Sequence, residues 1–114
     1  MGWPRFAVVM LASLLLIHGG AAAEPEPEFL IQIKDHQFVP AQLRIPAGIK
    51  VRIVVDNQDD TPEELDSHSL NREKHIPARS RVTLFIGPLE PGRYAFAGEE
   101  RESGGVALGV LEAQ

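Results

Sequence analysis

The stretch Val51-Arg52-Ile53-Val54-Val55 is the most β-branched in the chain. Side chains branched at Cβ fit the pleated, half-buried surface of a sheet, so this stretch predicts a central β-strand. The Pro and Gly of residues 46–48, immediately upstream, favour a turn. The chain is therefore expected to enter its central strand from a tight turn.

The segments on either side of this strand predict further short strands. Residues 29–34 place apolar side chains at odd positions, which indicates a strand with one buried face. The other expected strands cover residues 43–45, 81–86, 93–97 and 106–111, with an extended segment around 68–76. Residues 56–67 are expected to form a long polar loop. Because no helical period appears after residue 23, the pattern predicts an all-β sandwich or Greek-key barrel.

The first 23 residues have the features of a cleaved signal peptide. Arg5 is their only charged residue, an apolar run covers 6–17, and small residues fill 19–23. The alternative is an uncleaved membrane anchor, but an apolar run of about 12 residues is too short to cross a bilayer as a helix. We therefore expect a signal peptide at 1–23, a linker at 24–27, one domain at 28–114 and export to the periplasm.

The composition narrows the possible functions. The chain has a formal net charge of −5, and loss of residues 1–23 with Arg5 would make it one unit more negative. Such a domain, without a Lys/Arg cluster, is poorly suited to nucleic acid or anionic membranes and is compatible with cations. There is no cysteine, which excludes disulfides, thiolate nucleophiles and thiolate metal ligands.

Several motifs, taken in order, resemble a known superfamily. They are Pro46-Ala47-Gly48, Ser67-His68, Ile76-Pro77-Ala78 and Pro91-Gly92-Arg93-Tyr94-Ala95-Phe96 before a Gly-rich loop. This order resembles that of the cupredoxins and covers nearly all of residues 28–114. The resemblance implies a cupredoxin-like Greek-key β-sandwich or barrel.

Blue-copper members of that superfamily hold copper with one His from an earlier strand and with Cys, His and usually Met from the last loop. By the resemblance, His68 stands at the first position, while Gly98, Arg101 and Val106 stand near the other three. A blue centre depends on the copper–thiolate bond, so this chain cannot form one.

The string at residues 61–74, with Gly98-Glu99 later, is most similar to the EfeO-type cupredoxin-like branch. That resemblance implies a periplasmic protein that handles iron or copper in support of ferrous iron uptake. It also implies an iron permease and other periplasmic uptake components as partners, with no nucleic acid and no stable membrane insertion after signal cleavage.

The candidate metal ligands are a histidine and nearby acids, expected to meet at one end of the barrel: His68, Glu64, Glu99, Glu63 and Glu102, with Asp66 a weaker candidate. Carboxylate oxygens with one imidazole form a harder site than His, Cys and Met, and suit iron, copper(II), manganese or zinc. The alternative is a histidine hydrogen-bonded at a loop end beside solvated acids.

Three other residues bear on the hypotheses. His36 is expected to be an ordinary surface histidine near Asp35, with a separate surface site as the alternative, and His75 is expected to be structural. Arg101 would repel a bound cation and is expected to pair with Glu99 or Glu102. It favours the alternative function, a metal-free interaction or scaffold domain with a basic partner. A ferroxidase stays open, because oxidising Fe(II) needs an electron acceptor that a carboxylate–histidine site does not supply.

Overall fold

The computed structural model describes residues 25–114, together with Gly2 and Pro4. The predicted signal peptide therefore lies, except for those two positions, outside the described residues. Within the described part, no helix is long and apolar enough to cross a membrane.

Residues 25–114 contain nine β-strands and no helix. They are β1 Glu28–Lys34, β2 Gln37–Val39, β3 Gln42–Ile45, β4 Val51–Asn57, β5 Glu63–Ser67, β6 Arg72–Ile76, β7 Arg81–Ile86, β8 Gly92–Ala97 and β9 Leu108–Ala113. One sheet has the order β2-β1-β4-β7 and the other β3-β9-β8-β5-β6. The pairs β1–β4 and β3–β9 are parallel and the rest antiparallel, which confirms the predicted all-β sandwich.

Strand β4 is the centre of its sheet, as its β-branched sequence predicts. It pairs with β1 on one side and β7 on the other, so Ile53 lies between Phe29 and Leu84. Val51, Ile53 and Val55 are almost fully buried, while Arg52 and Val54 are partly exposed on the other face. This alternation places one face of β4 in the core between the two sheets.

The prediction of a long polar loop over residues 56–67 is wrong in its extent. Strand β4 continues to Asn57, and β5 already begins at Glu63, which leaves only residues 58–62 between them. In β5 the side chains of Glu63, Leu65 and Ser67 are buried, whereas Glu64 and Asp66 are partly exposed. The alternation of a strand is present, but polar residues on the buried face conceal it from a hydrophobicity pattern.

Asn57 fixes the loop that joins β4 to β5. Its side chain is 1% exposed, and its Nδ2 donates to the carbonyl oxygens of Thr61, Ile76 and Pro77. Its Oδ1 accepts the backbone N–H of Asp59 at 2.9 Å. Because a buried amide must find such partners, these bonds determine the path of residues 58–62 and the position of Asp59.

Candidate functional site

The turn between β1 and β2 presents a histidine at one end of the sandwich. Asp35 and His36 form a two-residue hairpin connection, and both have positive φ, 50° and 60°. A two-residue hairpin of this kind needs a left-handed backbone at both central positions, which aspartate and histidine tolerate better than most residues. The Asp59 carboxylate accepts the N–H of Asp35 and that of His36, each at 2.9 Å.

Three side chains meet beside this turn and form what we call the His36 site: His36, Asp59 and Glu63. His36 Nδ1 lies 2.7 Å from Glu63 Oε1 and 3.8 Å from Asp59 Oδ2. One ligand atom from each of the three residues lies within 4.8 Å of the others. The Thr61 hydroxyl also donates to Glu63 Oε1, at 3.1 Å.

The sequence pattern favours an ordinary surface histidine at position 36, and it gives no sign of this cluster. The acids that face His36 lie 23 and 27 residues later in the chain. Hydrophobic periodicity carries no information on such distant polar contacts. Of the three residues, only Glu63 is a metal ligand expected from the sequence.

The acids of the His36 site are partly withdrawn from water. The side chains of Asp59 and Glu63 are 14% and 10% exposed, and that of His36 is 30% exposed. Burial acts to raise the pKa of Asp59, but the hydrogen bonds that its carboxylate accepts from the N–H groups of His36 and Asp35, together with the nearby imidazole, lower it below its ordinary 3.8. Asp59 is therefore a carboxylate at neutral pH.

The His36 site opens into a cavity of about 250 Å³. The cavity is lined by His36, Thr61, Pro62, Glu63, Glu99, Glu100, Arg101 and Glu102. Three of the acids expected to be ligands, Glu63, Glu99 and Glu102, thus line the same cavity. The histidine in this cavity is His36, whereas the sequence pattern places His68 with these acids.

His68 lies elsewhere. It is exposed, directly after β5, and lines a separate open cavity with Asp66, Ser67, Asn71, Arg72 and Glu73. Glu63 begins β5 and Ser67 ends it, so at about 3.3 Å per residue their Cα atoms are about 13 Å apart, and His68 follows Ser67. The structure therefore does not bring His68 to the end of the sandwich that holds Glu99 and Glu102. A metal-binding role for His68 stays a prediction.

Glu64 points away from the His36 site, because successive side chains of a strand face opposite sides of the sheet. Burial, followed by the charges of Asp66 and Glu99, raises its pKa above the ordinary 4.5. His75 is near it, with Nδ1 3.9 Å from Glu64 Oε1. Glu64 belongs to an acidic group on the outer face of the second sheet, and its role as a metal ligand also stays a prediction.

The donor atoms at the His36 site determine what it can hold. The chain has no cysteine, and its two methionines are Met1 and Met10, so residues 25–114 contain no sulfur. A blue-copper centre does not fit these residues, because its copper–thiolate bond cannot form. One imidazole nitrogen and two carboxylate oxygens suit a borderline divalent ion such as Cu²⁺, Zn²⁺ or Fe²⁺.

Comparison with known families agrees with this architecture. A family model described as "Cupredoxin-like domain" matches residues 7–107. The chain belongs to this cupredoxin-like family. An uncharacterized protein of Rickettsia prowazekii (strain Madrid E) is 42% identical to the cupredoxin-like chain over 72 residues, which are 63% of the chain and 58% of that relative. The match thus spans less than two-thirds of the relative's length.

Solved structures share the fold of this cupredoxin-like chain. The metal-binding domain of the Cu(I)-exporting P-type ATPase CopA of Streptococcus pneumoniae has a TM-score of 0.62 at 19% identity, over 76% of this chain and 84% of that one. Auracyanin A, a blue copper protein of Chloroflexus aurantiacus, has a TM-score of 0.66 at 13% identity, over 79% and 100%. An apo copper-binding protein has a TM-score of 0.65 at 17% identity, over 76% and 86%. At these identities the likeness shows the fold alone.

Proposed function

We propose that this cupredoxin-like domain binds a divalent first-row metal ion at the His36 site. The observation that carries the proposal is the convergence of His36, Asp59 and Glu63, whose ligand atoms lie within 4.8 Å of one another. Two partly buried carboxylates and one imidazole provide the charge and the donor types that such an ion requires.

The surroundings of the site support capture of a cation. Glu99, Glu100 and Glu102 line the cavity above the His36 site and make its electrostatic potential more negative. Solved structures of the same fold include proteins whose names state that they bind copper. Since bound metal must displace protons from its ligands, affinity should fall in acid.

The proposal also includes a cellular location and partners for the domain. We propose that a signal peptide at residues 1–23 directs the domain to the periplasm. Membership of the EfeO-type branch, the supply of ferrous iron and partnership with an iron permease rest on the sequence resemblance alone.

Metal titration of single variants tests the proposal. Isothermal titration of the purified protein with Zn²⁺ and Cu²⁺ should show one site per chain. His36→Ala and Glu63→Gln should each weaken binding by at least about tenfold, because each removes a ligand. His75→Ala and His68→Ala are the matched controls and should leave affinity unchanged. Equal affinity of His36→Ala and the parent protein would exclude this site, and loss on His68→Ala alone would favour the other cavity.

Arg101 favours a second candidate function, a metal-free interaction domain. Its fixed positive charge lines the cavity that would receive the cation. Val106 and Leu108, which follow in the same region of the chain, are 41% and 65% exposed. Under this hypothesis the acidic loop contacts a basic partner, so binding of a poly-lysine probe should weaken with salt and be unchanged by chelators. Under the metal hypothesis, chelators should instead reduce metal binding by the domain, because they compete for the ion.

A further inference from the structure

The donor atoms of the His36 site lie close enough together to bind one ion. With metal–ligand bonds of about 2.0 Å, the ligands of one ion lie between about 2.8 Å and 4.0 Å apart. His36 Nδ1 lies 2.7 Å from Glu63 Oε1, to which it is hydrogen-bonded, and 3.8 Å from Asp59 Oδ2. Small side-chain movements would place all three atoms around one ion, and among divalent first-row ions such nitrogen and oxygen ligands bind Cu²⁺ most tightly.

The site also distinguishes between the two oxidation states of copper. Cu⁺ is soft and is selected by thiolate and thioether ligands, of which residues 25–114 have none. The two carboxylates are 14% and 10% exposed, so water screens their attraction for the ion only in part. That attraction is proportional to the charge of the ion, which is twice as large for Cu²⁺ as for Cu⁺.

We propose that the His36 site takes copper specifically as Cu²⁺ and releases it when a one-electron donor reduces it to Cu⁺. This inference rests on the proposed function and specifies its ion and the reaction that must follow capture. The domain would act as a store or carrier of the oxidised ion, upstream of any component that accepts Cu⁺. An electron carrier needs comparable binding of both states, which these ligands do not provide.

The release step balances with a small reductant such as ascorbate. The ascorbate monoanion loses one electron to bound Cu²⁺ and one proton to water, and becomes the ascorbyl radical. The metal becomes Cu⁺, its bonds to the imidazole and the two carboxylates break, and a proton taken up from water restores the hydrogen bond between His36 Nδ1 and Glu63. The His36 side chain is 30% exposed and borders an open cavity, so a small reductant and an acceptor for Cu⁺ can reach the ion.

Paired titrations of the purified protein test the preference. Cu²⁺ affinity is measured against a glycine competitor in air, and Cu⁺ affinity against bathocuproine disulfonate without oxygen. We expect Cu²⁺ to bind at least about 100-fold more tightly than Cu⁺, which lowers the reduction potential of bound copper by about 120 mV relative to the free couple. The Cu²⁺ form should give an axial electron paramagnetic resonance spectrum.

Single variants test whether the donor atoms cause the preference for Cu²⁺ over Cu⁺. Glu63→Met replaces a carboxylate with a thioether and should reduce the preference for Cu²⁺ by at least about tenfold. Glu90→Met is the matched control, since Glu90 is exposed and does not line the cavity of the His36 site, and it should leave the ratio unchanged. Ascorbate with bathocuproine should remove copper within minutes from the copper form and leave the redox-inert zinc form loaded.

The outcomes separate the inference from the proposed function. If no divalent ion binds in a His36-dependent way, both are overturned. If Cu²⁺ binding depends on His36 but Cu⁺ binds as tightly, or copper stays on the protein after reduction, only the inference is overturned. A Zn²⁺ affinity equal to that for Cu²⁺ would also overturn it, because the site would then not select copper.

Discussion

The carboxylate of Asp59 accepts the backbone N–H of His36 at 2.9 Å, and its other oxygen accepts the N–H of the preceding residue at the same distance. A side chain of the β4–β5 loop thereby holds the β1–β2 turn in its left-handed conformation. Asp59 therefore has two roles in the structure: it stabilises the turn, and it faces the imidazole that the turn carries.

Substitution of Asp59 should destabilise the protein even without metal. Asp59→Asn keeps one acceptor oxygen but turns an amide group toward a backbone N–H, and loss of a hydrogen bond to a charged acceptor costs about 1–3 kcal/mol of unfolding free energy. Asp60→Asn is the matched control. Asp60 is exposed and pairs with Arg79 at the surface, so its substitution should cost much less stability than that of Asp59. Urea denaturation measures both, and equal effects would contradict the role of Asp59.

The contribution of Asp59 should disappear in acid. Its pKa is lower in the folded protein than the ordinary 3.8, so its carboxylate stabilises the fold above that pH, and this stabilisation is lost as pH falls through the folded pKa. The stability deficit of Asp59→Asn should therefore be full at about pH 7 and smaller at about pH 2.5. Urea titrations of both proteins at several pH values measure it. A deficit that does not vary with pH would show that the charge of Asp59 is not involved.

The sequence predicts the core of this fold better than its functional end. Strand β4 is recognisable because Val51, Ile53 and Val55 are all apolar and all buried. Strand β5 is not, because two of its three buried side chains are Glu63 and Ser67. A pattern of apolar residues predicts which apolar side chains are buried. It does not predict which acidic side chains are buried beside a hydrogen-bond partner.

The sequence does not identify the three members of the His36 site as neighbours, for a related physical reason. The position of the site depends on Asp59, which binds backbone groups 23 and 24 residues away, and on the buried amide of Asn57. Such hydrogen bonds join residues that only the folded structure brings together, so no local sequence signal accompanies them. The resemblance to cupredoxins correctly implies the fold, but it favours His68 as the metal ligand. His68 follows the last residue of β5 and lines a different cavity.

Glu64 should be a site where removal of charge stabilises the protein. Burial and the charges of Asp66, Glu99 and Glu73 raise its pKa above the ordinary 4.5, so ionisation of Glu64 disfavours the folded state. Glu64→Gln should raise stability at neutral pH by up to about 0.5 kcal/mol, as expected for a surface substitution. This gain should vanish as pH falls below 4.5, where Glu64 is protonated in both states.

Glu90→Gln is the control for that measurement, because it removes the same charge from an exposed position outside the acidic group. Thermal unfolding at several pH values compares the two variants. A loss of stability in Glu64→Gln at neutral pH would instead indicate that the ion pair with His75, whose Nδ1 lies 3.9 Å away, outweighs the repulsion.

Gly109 should be intolerant of any side chain, because the ring of Phe96 occupies the space where a Cβ would lie. A Cβ built at Gly109 would overlap the Cζ and Cε2 atoms of that ring. Phe96 is 3% exposed, and its ring packs edge to face against Phe38 at 4.9 Å, so it has little room to move. Gly109→Ala should therefore cost about 1–3 kcal/mol of unfolding free energy.

Two further variants make this assignment specific. Gly105→Ala should be nearly neutral, because a Cβ there would meet nothing closer than the Ser103 hydroxyl at 3.9 Å. The smaller side chain of Phe96→Leu opens space above residue 109, so the double variant with Gly109→Ala should lose less stability than the sum of the single losses. If the losses are additive in urea denaturation, contact with the Phe96 ring is not the reason that position 109 requires glycine.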